Sequence, residues 1–437
     1  MIRILQVRNI DSFVESRRQK TSEKDRKIVQ SILNDVRKNG DSAVKKYERK
    51  FNGRKTSQLR VSAKEIKEAR SKTSWKEKYA LERINLRESG LRQNLEDWSN
   101  SFRIEGKTIT ASTFYASTKK LGTSHRSFVP IPSVGCYIPG GQARYPSSVV
   151  MSVIPAKQAG VKRIVVVSPP DRDGKIDPLT IVAAKMCGAT EIYKVGGAQA
   201  IGALAYGTKS IPKVDKIVGP GGKFVSIAKS LVSDQTAIDM VAGPTELGIL
   251  ADASSDPELI ALDLIAQAEH SKDTMCFVIT QSKTVAKQIQ KSIEKLIPGA
   301  ERSSIIKDSI SKNGFIAVCK NENEMVELAN KIAPEHLELI VKNAKSLSKK
   351  ITGAGLVLVG KNTPSSASDY LCGTNHILPT NGFGRTRGGL SVLDFLKLQT
   401  VVVSTKPSLR SIVEDLKTLT DAEGLPNHYK AVERRLD

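Results

Sequence analysis

The stretch Arg163-Ile-Val-Val-Val-Ser168-Pro-Pro170 decides the fold class of this chain. Its run of β-branched apolar residues is typical of a strand that is buried on both faces of a parallel sheet, and the two prolines end it. Helices are predicted on either side of it, at about 146–159 and at 178–187. This alternation predicts a doubly wound parallel sheet, in which ligands bind at the carboxyl ends of the strands.

The alternation continues outward in both directions. Before this strand, Val134-Gly-Cys-Tyr-Ile-Pro-Gly-Gly141 is predicted to be a strand that enters a glycine turn, and after it comes the strand Glu191–Val195. A second series of strands and helices runs from Leu247 to Val359. Within that series, the proline of Ala333-Pro-Glu-His-Leu337 is predicted to open a new turn. Two series predict two parallel sheets or two duplicated halves, and residue identity does not demonstrate a duplication.

The glycine turns in these series leave two interpretations open. Gly196-Gly197 and Gly219-Pro-Gly-Gly222 would let the backbone approach a pyrophosphate closely, or they are plain turns. The Gly-x-Gly-x-x-Gly fingerprint of dinucleotide-binding proteins does not follow a first strand here. The pattern alone therefore does not decide between a cofactor site and ordinary turns.

The N-terminal quarter is predicted to be a helical scaffold that carries no chemistry. Its predicted helices lie at 22–38, at Asp41–Phe51, from Ser62 onward, and at roughly 75–100. His125 follows them in a polar stretch near no other candidate ligand. We therefore expect it to be an ordinary surface histidine.

Composition limits the class of protein. The 437 residues are 39% apolar and 26% charged, which is typical of a soluble globular protein with room for two or three domains. No apolar run approaches the ~18 residues that span a bilayer, and the charged N-terminal segment does not resemble a signal peptide. Five scattered cysteines without a Cys-x-x-Cys pair predict free thiols in a reducing cytoplasm.

The net charge of +23 has two interpretations. It would suit a nucleic-acid partner, or a basic surface that attracts acidic ligands such as dinucleotides. Aromatic residues make up only 5% of the chain, too few for an obvious stacking platform, and no nucleic-acid-binding module is recognisable. We therefore expect no nucleic acid and no membrane among its partners.

The candidate ligands begin with Leu264-Ile-Ala-Gln-Ala-Glu-His270, which is predicted to be helical. Gln267 and His270 would project from one helix face, where they are either two ligands of a metal ion or an ordinary hydrogen-bonded pair. Four of the five histidines have a carboxylate within seven residues, and the pairs are Glu269 or Asp273 with His270, Glu335 with His336, Asp369 with His376, and Glu423 with His428. The functional hypothesis is that several of these pairs converge on one site, because imidazole serves both as ligand and as proton carrier. Chance placement is the alternative.

Together these segments resemble the histidinol dehydrogenase family over about residues 20–435. The most specific stretch is Ile238-Asp through Ala242-Gly-Pro-Thr-Glu246, followed by Gln267-Ala-Glu-His270 at the family's spacing. The supporting motifs occur in the family's order and are Tyr137-Ile-Pro-Gly-Gly141, Val195-Gly-Gly-Ala-Gln199, Pro334-Glu-His-Leu337, Asp369-Tyr370, Gly373-Thr-Asn-His-Ile-Leu-Pro379 and Gly389-Leu-Ser-Val392.

The resemblance implies an α/β fold of two doubly wound, Rossmann-like parallel-sheet domains with helical N-terminal and C-terminal extensions. The implied segments are an extension at 1–24, a main α/β domain of 25–133 and 246–388, a second α/β domain at 134–245, and a tail at 389–437. In the family this tail reaches the partner subunit, so a cytoplasmic homodimer with intertwined C-terminal tails is implied.

The resemblance also implies a chemistry: oxidation of L-histidinol to L-histidine through L-histidinal, with two NAD⁺, as the last step of histidine biosynthesis. Glu335 and His336 would carry the proton chemistry. One Zn²⁺ per subunit would be bound by Gln267, His270, Asp369 and His428, the last from the partner subunit. The substrate would contact these four ligands together with His336, Thr245, His376 and Glu423, and NAD would contact Tyr137, Gln199 and Gly222.

One departure from the family pattern concerns the cofactor. Gly222 stands where the family has asparagine, so one polar contact to NAD is missing. Loss of such a contact is worth roughly 0.5–1.5 kcal/mol, which would weaken NAD binding without abolishing it. Thr245 stands where the family often has serine, and it retains the hydroxyl.

Two other functions are compatible with the fold. An NAD-dependent dehydrogenase could act on another small alcohol or aldehyde, but His376 and Glu423 match substrate-contacting positions and argue against it. A basic binding protein could keep the fold without catalysis. The retained Glu335-His336 pair argues against that possibility.

Overall fold

The structure is a computed structural model that describes residues 1–18, 22–53, 58–89, 101–104, 107–110, 117–118, 122–140 and 144–437. Two units emerge from the contacts within the chain. The first comprises Met1–Ser89 and Pro132–Asp394, and the second comprises Gly90–Ile131 and Phe395–Asp437.

The strands are β1 (Arg3–Gln6), β2 (Ser101–Ile104), β3 (Lys107–Thr110), β4 (Ser117–Thr118), β5 (Gly122–Pro130), β6 (Ser133–Tyr137), β7 (Arg163–Ser168), β8 (Glu191–Lys194), β9 (Lys216–Val218), β10 (Ala237–Ile238), β11 (Glu246–Ala251), β12 (Met275–Thr280), β13 (Phe315–Val318), β14 (His336–Ile340), β15 (Leu356–Val359) and β16 (Leu396–Val403). The helices are α1 (Ile10–Arg17), α2 (Glu23–Asn39), α3 (Asp41–Asn52), α4 (Ala63–Lys72), α5 (Trp75–Ser89), α6 (Pro146–Gln158), α7 (Pro178–Cys187), α8 (Gly197–Tyr206), α9 (Lys223–Val232), α10 (Pro257–Ala268), α11 (Lys283–Leu296), α12 (Ser303–Asn313), α13 (Glu322–Ile332), α14 (Ala344–Leu347), α15 (Ser365–Ser368), α16 (Lys406–Arg410), α17 (Val413–Ala422) and α18 (Pro426–Glu433).

Two parallel sheets form the first unit. The six-stranded sheet has the order β1-β13-β12-β11-β14-β15, and the five-stranded sheet has the order β10-β9-β6-β7-β8. All pairings within the two sheets are parallel. β7 has the bounds that the sequence predicts, and its three central valines are fully buried between β6 and β8. The predicted α/β class with parallel sheets is confirmed.

The N-terminal helices pack against the five-stranded sheet. Their buried residues Val29, Leu33 and Val44 share one apolar core with Val165 and Leu204. The predicted domain bounds place these helices in one domain with the segment that forms the six-stranded sheet. The apolar stripes on α2 and α3 could pack against either sheet, so the stripes alone do not identify the sheet that they cover. The predicted domain bounds stay a prediction.

Several local predictions differ from the structure. Ala333–Leu337 does not open a turn, because Ala333 ends α13 in a left-handed conformation and the chain then extends directly into β14. The helix predicted at 75–100 is α5, which ends at Ser89, and 90–100 lie outside the described residues. His125 lies on β5, where its backbone pairs with Val401 of β16 in the second unit, but its side chain lies outside the described part of the chain, so the predicted surface position stays a prediction. Among the helices described, none has both the length and the apolar character needed to cross a bilayer.

Candidate active site

A cavity of about 540 Å³ in the first unit is lined from both sheets. Its lining includes Gln267, His270, Glu335, His336, Asp369, His376, Thr245 and the loop Gly219–Gly222. Most of the residues predicted to carry chemistry therefore lie around one space. They come from segments up to about 150 residues apart in the sequence, so the fold and not the local sequence brings them together.

The two sheets contribute opposite edges to this cavity. Gly219 follows β9 at the carboxyl edge of the five-stranded sheet, as the sequence predicts for a glycine turn. Glu335 and His336, however, stand at the start of β14, and Thr245 precedes β11. The expectation that functional side chains lie at the carboxyl ends of strands is thus wrong for the six-stranded sheet, where they occupy the amino ends.

Gln267 and His270 are held at the end of α10. Leu264 is fully buried and Ile265 is nearly so, which anchors the last turns of the helix in the core. The helix ends at Ala268, two residues earlier than the predicted segment, and the His270 N–H donates to the Gln267 carbonyl at 3.2 Å. Gln267 is 2% exposed and its Nε2 has no hydrogen-bond partner among the residues that the structure describes, whereas His270 is exposed.

The side chains of Glu335 and Glu246 each accept a hydrogen bond from the backbone N–H of the other residue. The Glu246 N–H donates to Glu335 Oε2 at 2.9 Å, and the Glu335 N–H donates to Glu246 Oε2 at 3.3 Å. Glu246 Oε1 accepts the Asn381 N–H at 2.9 Å. This reciprocal arrangement is possible because Leu247 and His336 are paired in register, which places the preceding residues side by side. Sequence reasoning assigned Glu246 no role, although it ends the most specific motif.

Burial makes these carboxyl groups weak acids. Desolvation raises the pKa of Glu335 to about 8, with a further contribution from the charge of Glu246 and an opposing one from His336. Desolvation likewise raises the pKa of Glu246 to about 7, against the hydrogen bonds from the backbones of Asn381 and Glu335. A carboxyl group that titrates near neutrality is suited to proton transfer.

His336 lies between two carboxylates. Its Nε2 is 3.1 Å from Asp369 Oδ1. Its buried Nδ1 lies 3.8 Å from Glu335 Oε2 and finds no hydrogen-bond partner in the described part of the chain. Burial acts to lower the pKa of His336, but the hydrogen bond to Asp369 and the charge of Glu335 outweigh it and raise that pKa to about 9. Burial acts to raise the pKa of Asp369, and His336 reverses this, so the net shift is downward.

Both ring nitrogens of His376 are engaged within the protein. Nδ1 lies 2.8 Å from the Asp369 carbonyl, which only accepts, so this nitrogen carries the proton. Nε2 then accepts from the Ser148 hydroxyl at 3.1 Å. His376 therefore supports the backbone at Asp369. A contact with substrate through Nε2 would replace the bond to Ser148, and that predicted contact stays a prediction.

Two of the predicted cofactor residues are buried beside the cavity and do not line it. The Tyr137 hydroxyl accepts the Gly197 N–H at 3.1 Å. Gln199 is 1% exposed, and its Nε2 donates to Glu48 Oε1 at 2.8 Å. Both side chains thus support the glycine turn after β8. Gly222 does line the cavity, at the start of α9, with open space where a side chain would project.

A buried ion pair, which sequence reasoning missed, fixes the loop at Gly219. Lys229 Nζ pairs with Asp239 and donates to the Gly219 carbonyl at 3.0 Å. Asp239 Oδ2 accepts the Gly219 N–H at 2.8 Å. A signal was present in the sequence, because Lys229 falls on the apolar stripe of α9 between Val225 and Val232, where a lysine needs a buried partner.

Two predicted residues lie in the second unit. Glu423 follows α17, His428 lies in α18, and both side chains are exposed. Their predicted contacts with substrate and metal stay predictions. Within the described ranges, no group of three or more His, Cys, Asp or Glu side chains is arranged to hold a metal ion.

Comparison with known proteins places this site in a family context. The family model for histidinol dehydrogenase matches residues 15–436. The histidinol dehydrogenase of Methanocaldococcus jannaschii is 43% identical over 408 residues, which cover 93% of this chain and 92% of that protein. That of Methanococcus maripaludis is 44% identical over 414 residues, with 94% and 93% covered. The crystal structure of histidinol dehydrogenase from Elizabethkingia anophelis matches with a TM-score of 0.89 and 33% identity, and covers 100% of this chain and 98% of that one.

Proposed function

The chain belongs to the histidinol dehydrogenase family of NAD-dependent oxidoreductases, and from that premise we propose that it oxidises L-histidinol to L-histidine through L-histidinal, with two NAD⁺ in succession. The observation that carries this proposal is the cavity of the first unit. It gathers the Glu335-His336 pair with Gln267, His270 and Asp369, which come from three separate segments.

The proton chemistry is assigned to two buried groups. A primary alcohol must lose its hydroxyl proton as hydride leaves for the cofactor, and His336 accepts that proton in its neutral form, whose share grows as the pH rises towards the raised pKa of about 9. Its buried Nδ1 has no partner among the described residues, which supports a role in proton transfer. The aldehyde must then be hydrated, and Glu335 activates the water for this step. His336 accepts a proton again during the second hydride transfer.

The metal site is assigned to Gln267, His270, Asp369 and the partner subunit's His428. The first three line one cavity, and they bring an amide oxygen, an imidazole nitrogen and a carboxylate oxygen, which are donors that a divalent ion accepts. The donor set mixes nitrogen and oxygen, as zinc sites in enzymes do. When bound, zinc would act mainly as a template that holds the imidazole and amine of the substrate.

A homodimer supplies the fourth ligand in this proposal. The second unit exposes large apolar side chains along β16 and in its helical segment, and these are Leu398, Val401, Val402, Val403, Leu419 and Leu425. Exposed apolar side chains in such number mark a surface for protein contact. They support intertwined C-terminal tails. The five free cysteines support a reducing, cytoplasmic location.

The cofactor is assigned to the carboxyl edge of the five-stranded sheet. Gly221 and Gly222 line the cavity just before α9, and the N-terminus of a helix favours a pyrophosphate. Tyr137 and Gln199 act there by holding the neighbouring turn. Thr245, His376 and Glu423 complete the substrate contacts.

The experiment that tests the function follows NADH at 340 nm with histidinol limiting and NAD⁺ in excess. Two NADH per histidinol are expected. One NADH per histidinol would mean that the aldehyde is released, and none would refute the function. A panel of other small alcohols distinguishes a dehydrogenase of different specificity, which would turn over another substrate faster than histidinol.

A further inference from the structure

A pair of buried carboxyl groups lies behind the candidate site without a role in the chemistry proposed above. Glu338 on β14 is 1% exposed, and Asp263 on α10 is half-buried. Glu338 Oε1 accepts the Ser365 N–H at 2.6 Å, while Oε2 is buried and has no hydrogen-bond partner within the described ranges. The side chain that it faces is another acid, Asp263. A buried oxygen opposite a carboxylate is satisfied only if it carries a proton, because two ionised carboxylates repel.

The two acids lie on the helix that carries Gln267 and on the strand that carries His336. Asp263 precedes Gln267 by four residues on the same face of α10, and His270 follows three residues later. Glu338 lies two residues beyond His336, on the same face of the sheet. The two acids therefore occupy the layer directly behind the residues that line the cavity.

The pair also reaches Asp369 through a single residue. Glu338 holds the N–H of Ser365, and the carbonyl of Ser365 accepts the Asp369 N–H at 3.0 Å. Ser365 is 1% exposed, so no water competes for its backbone. Loss of the acceptor on Glu338 would free the first residue of the short α15, and the position of Asp369 depends on that turn.

We propose that Glu338, joined to Asp263 by a shared proton, is a positioning residue that orients Asp369 for metal binding. This inference rests on the proposed function, since it concerns the same metal site. Burial, followed by the charge of Asp263, raises the pKa of Glu338 to about 8, which is consistent with a proton held between the two acids at neutral pH. Neither acid is expected to contact substrate or cofactor.

The test uses four variants of the full-length chain. Glu338→Gln keeps the acceptor for Ser365 and presents an N–H to Asp263, so it imitates the protonated acid. Glu338→Met removes both contacts at similar length. Asp263→Ala removes the other carboxyl group, and Asp263→Asn replaces it with a neutral amide. Because Asp263 is only half-buried, these two variants are less prone to misfold. Zinc affinity is measured by competition with a chromogenic chelator, and near-UV circular dichroism verifies folding.

Glu338→Met and Asp263→Ala are expected to weaken zinc binding about 10- to 100-fold, the usual effect of removing a group that orients a metal ligand. Glu338→Gln and Asp263→Asn are expected to stay within about threefold of wild type, because the hydrogen-bond pattern is retained. Unchanged affinity in the two disruptive variants would overturn the proposal. Equal losses in Glu338→Gln and Glu338→Met would overturn it as well, since a neutral mimic should suffice.

Glu65 provides the matched control. It accepts the Ser62 N–H at 2.8 Å and pairs with Lys194 at 2.7 Å, in the same unit but away from the cavity. Glu65→Met should lower the unfolding temperature and leave zinc affinity unchanged. The wild-type chain tests the proposed function separately. If it forms NADH from histidinol and binds no zinc, the metal assignment and this inference both fail, whereas a loss confined to the variants supports the inference alone.

Discussion

Replacement of Lys229 by methionine should be among the most damaging single changes in the five-stranded half of the first unit. The Lys229 side chain is 2% exposed and that of its partner Asp239 is 0% exposed. The two side chains hold both backbone groups of Gly219, and Asp239 Oδ1 also accepts the Met240 N–H at 2.6 Å. Methionine keeps the length of the side chain but leaves the buried carboxylate without the ammonium group that pairs with it.

The expected cost follows from this burial. Removal of one partner from a buried ion pair destabilises a protein by about 3–5 kcal/mol, mostly because a charge is left unpaired. The matched control is Lys350→Met, whose partner Glu322 is half exposed, and an exposed pair contributes up to about 1 kcal/mol. Adding Asp239→Asn to Lys229→Met should recover part of the loss, because it removes the buried charge and keeps an acceptor for Gly219.

Urea unfolding followed by far-UV circular dichroism measures these differences, with NAD⁺ kinetics on the same samples. Lys229→Met should also raise the KM for NAD⁺, because the loop Gly219–Gly222 loses its anchor. A free-energy loss no larger than that of Lys350→Met would refute the reasoning. So would an Asp239→Asn double variant that is less stable than Lys229→Met alone.

Three further outcomes are expected. Gly222→Asn should tighten NAD⁺ binding by about 0.5–1.5 kcal/mol, since space is open for the side chain, and an unchanged KM for NAD⁺ would show that the amide does not reach the cofactor. Glu335→Gln should slow the oxidation of supplied histidinal by about 10²- to 10⁴-fold, and a rate equal to wild type would exclude Glu335 as the water-activating group. The metal-free chain should lose stability as pH rises from about 4.5 to about 8, because the raised pKa values of Glu246, Glu335 and Glu338 mean that the folded state favours their protonated forms. Their contribution is complete below the ordinary glutamate pKa and lost above the folded values, so Glu338→Gln should reduce the slope of unfolding temperature against pH.

Local sequence signals predicted much of the secondary structure. The apolar run of β7 and the bounds of α7 follow from periodicity and from capping or turn residues, which act within a few residues of the chain. Strand β14 was missed because polar residues dominate its first half, in His336-Leu-Glu338. These side chains are buried at the core of a site, where function overrides the ordinary preference for apolar residues in a buried strand.

Sequence patterns alone establish an α/β protein with parallel sheets, and the motifs predict the family and most of the residues that line the cavity. Three contacts are visible only in the tertiary structure. Glu335 and Glu246 accept hydrogen bonds from each other's backbone, and Lys229 and Asp239 bind the backbone of Gly219. Asp263 lies beside Glu338. These pairs depend on the order and register of strands that are distant in sequence, and on burial, which turns ordinary charged residues into partners that cannot be separated without loss. A short stretch of sequence encodes neither the pairing of distant strands nor the burial of a side chain.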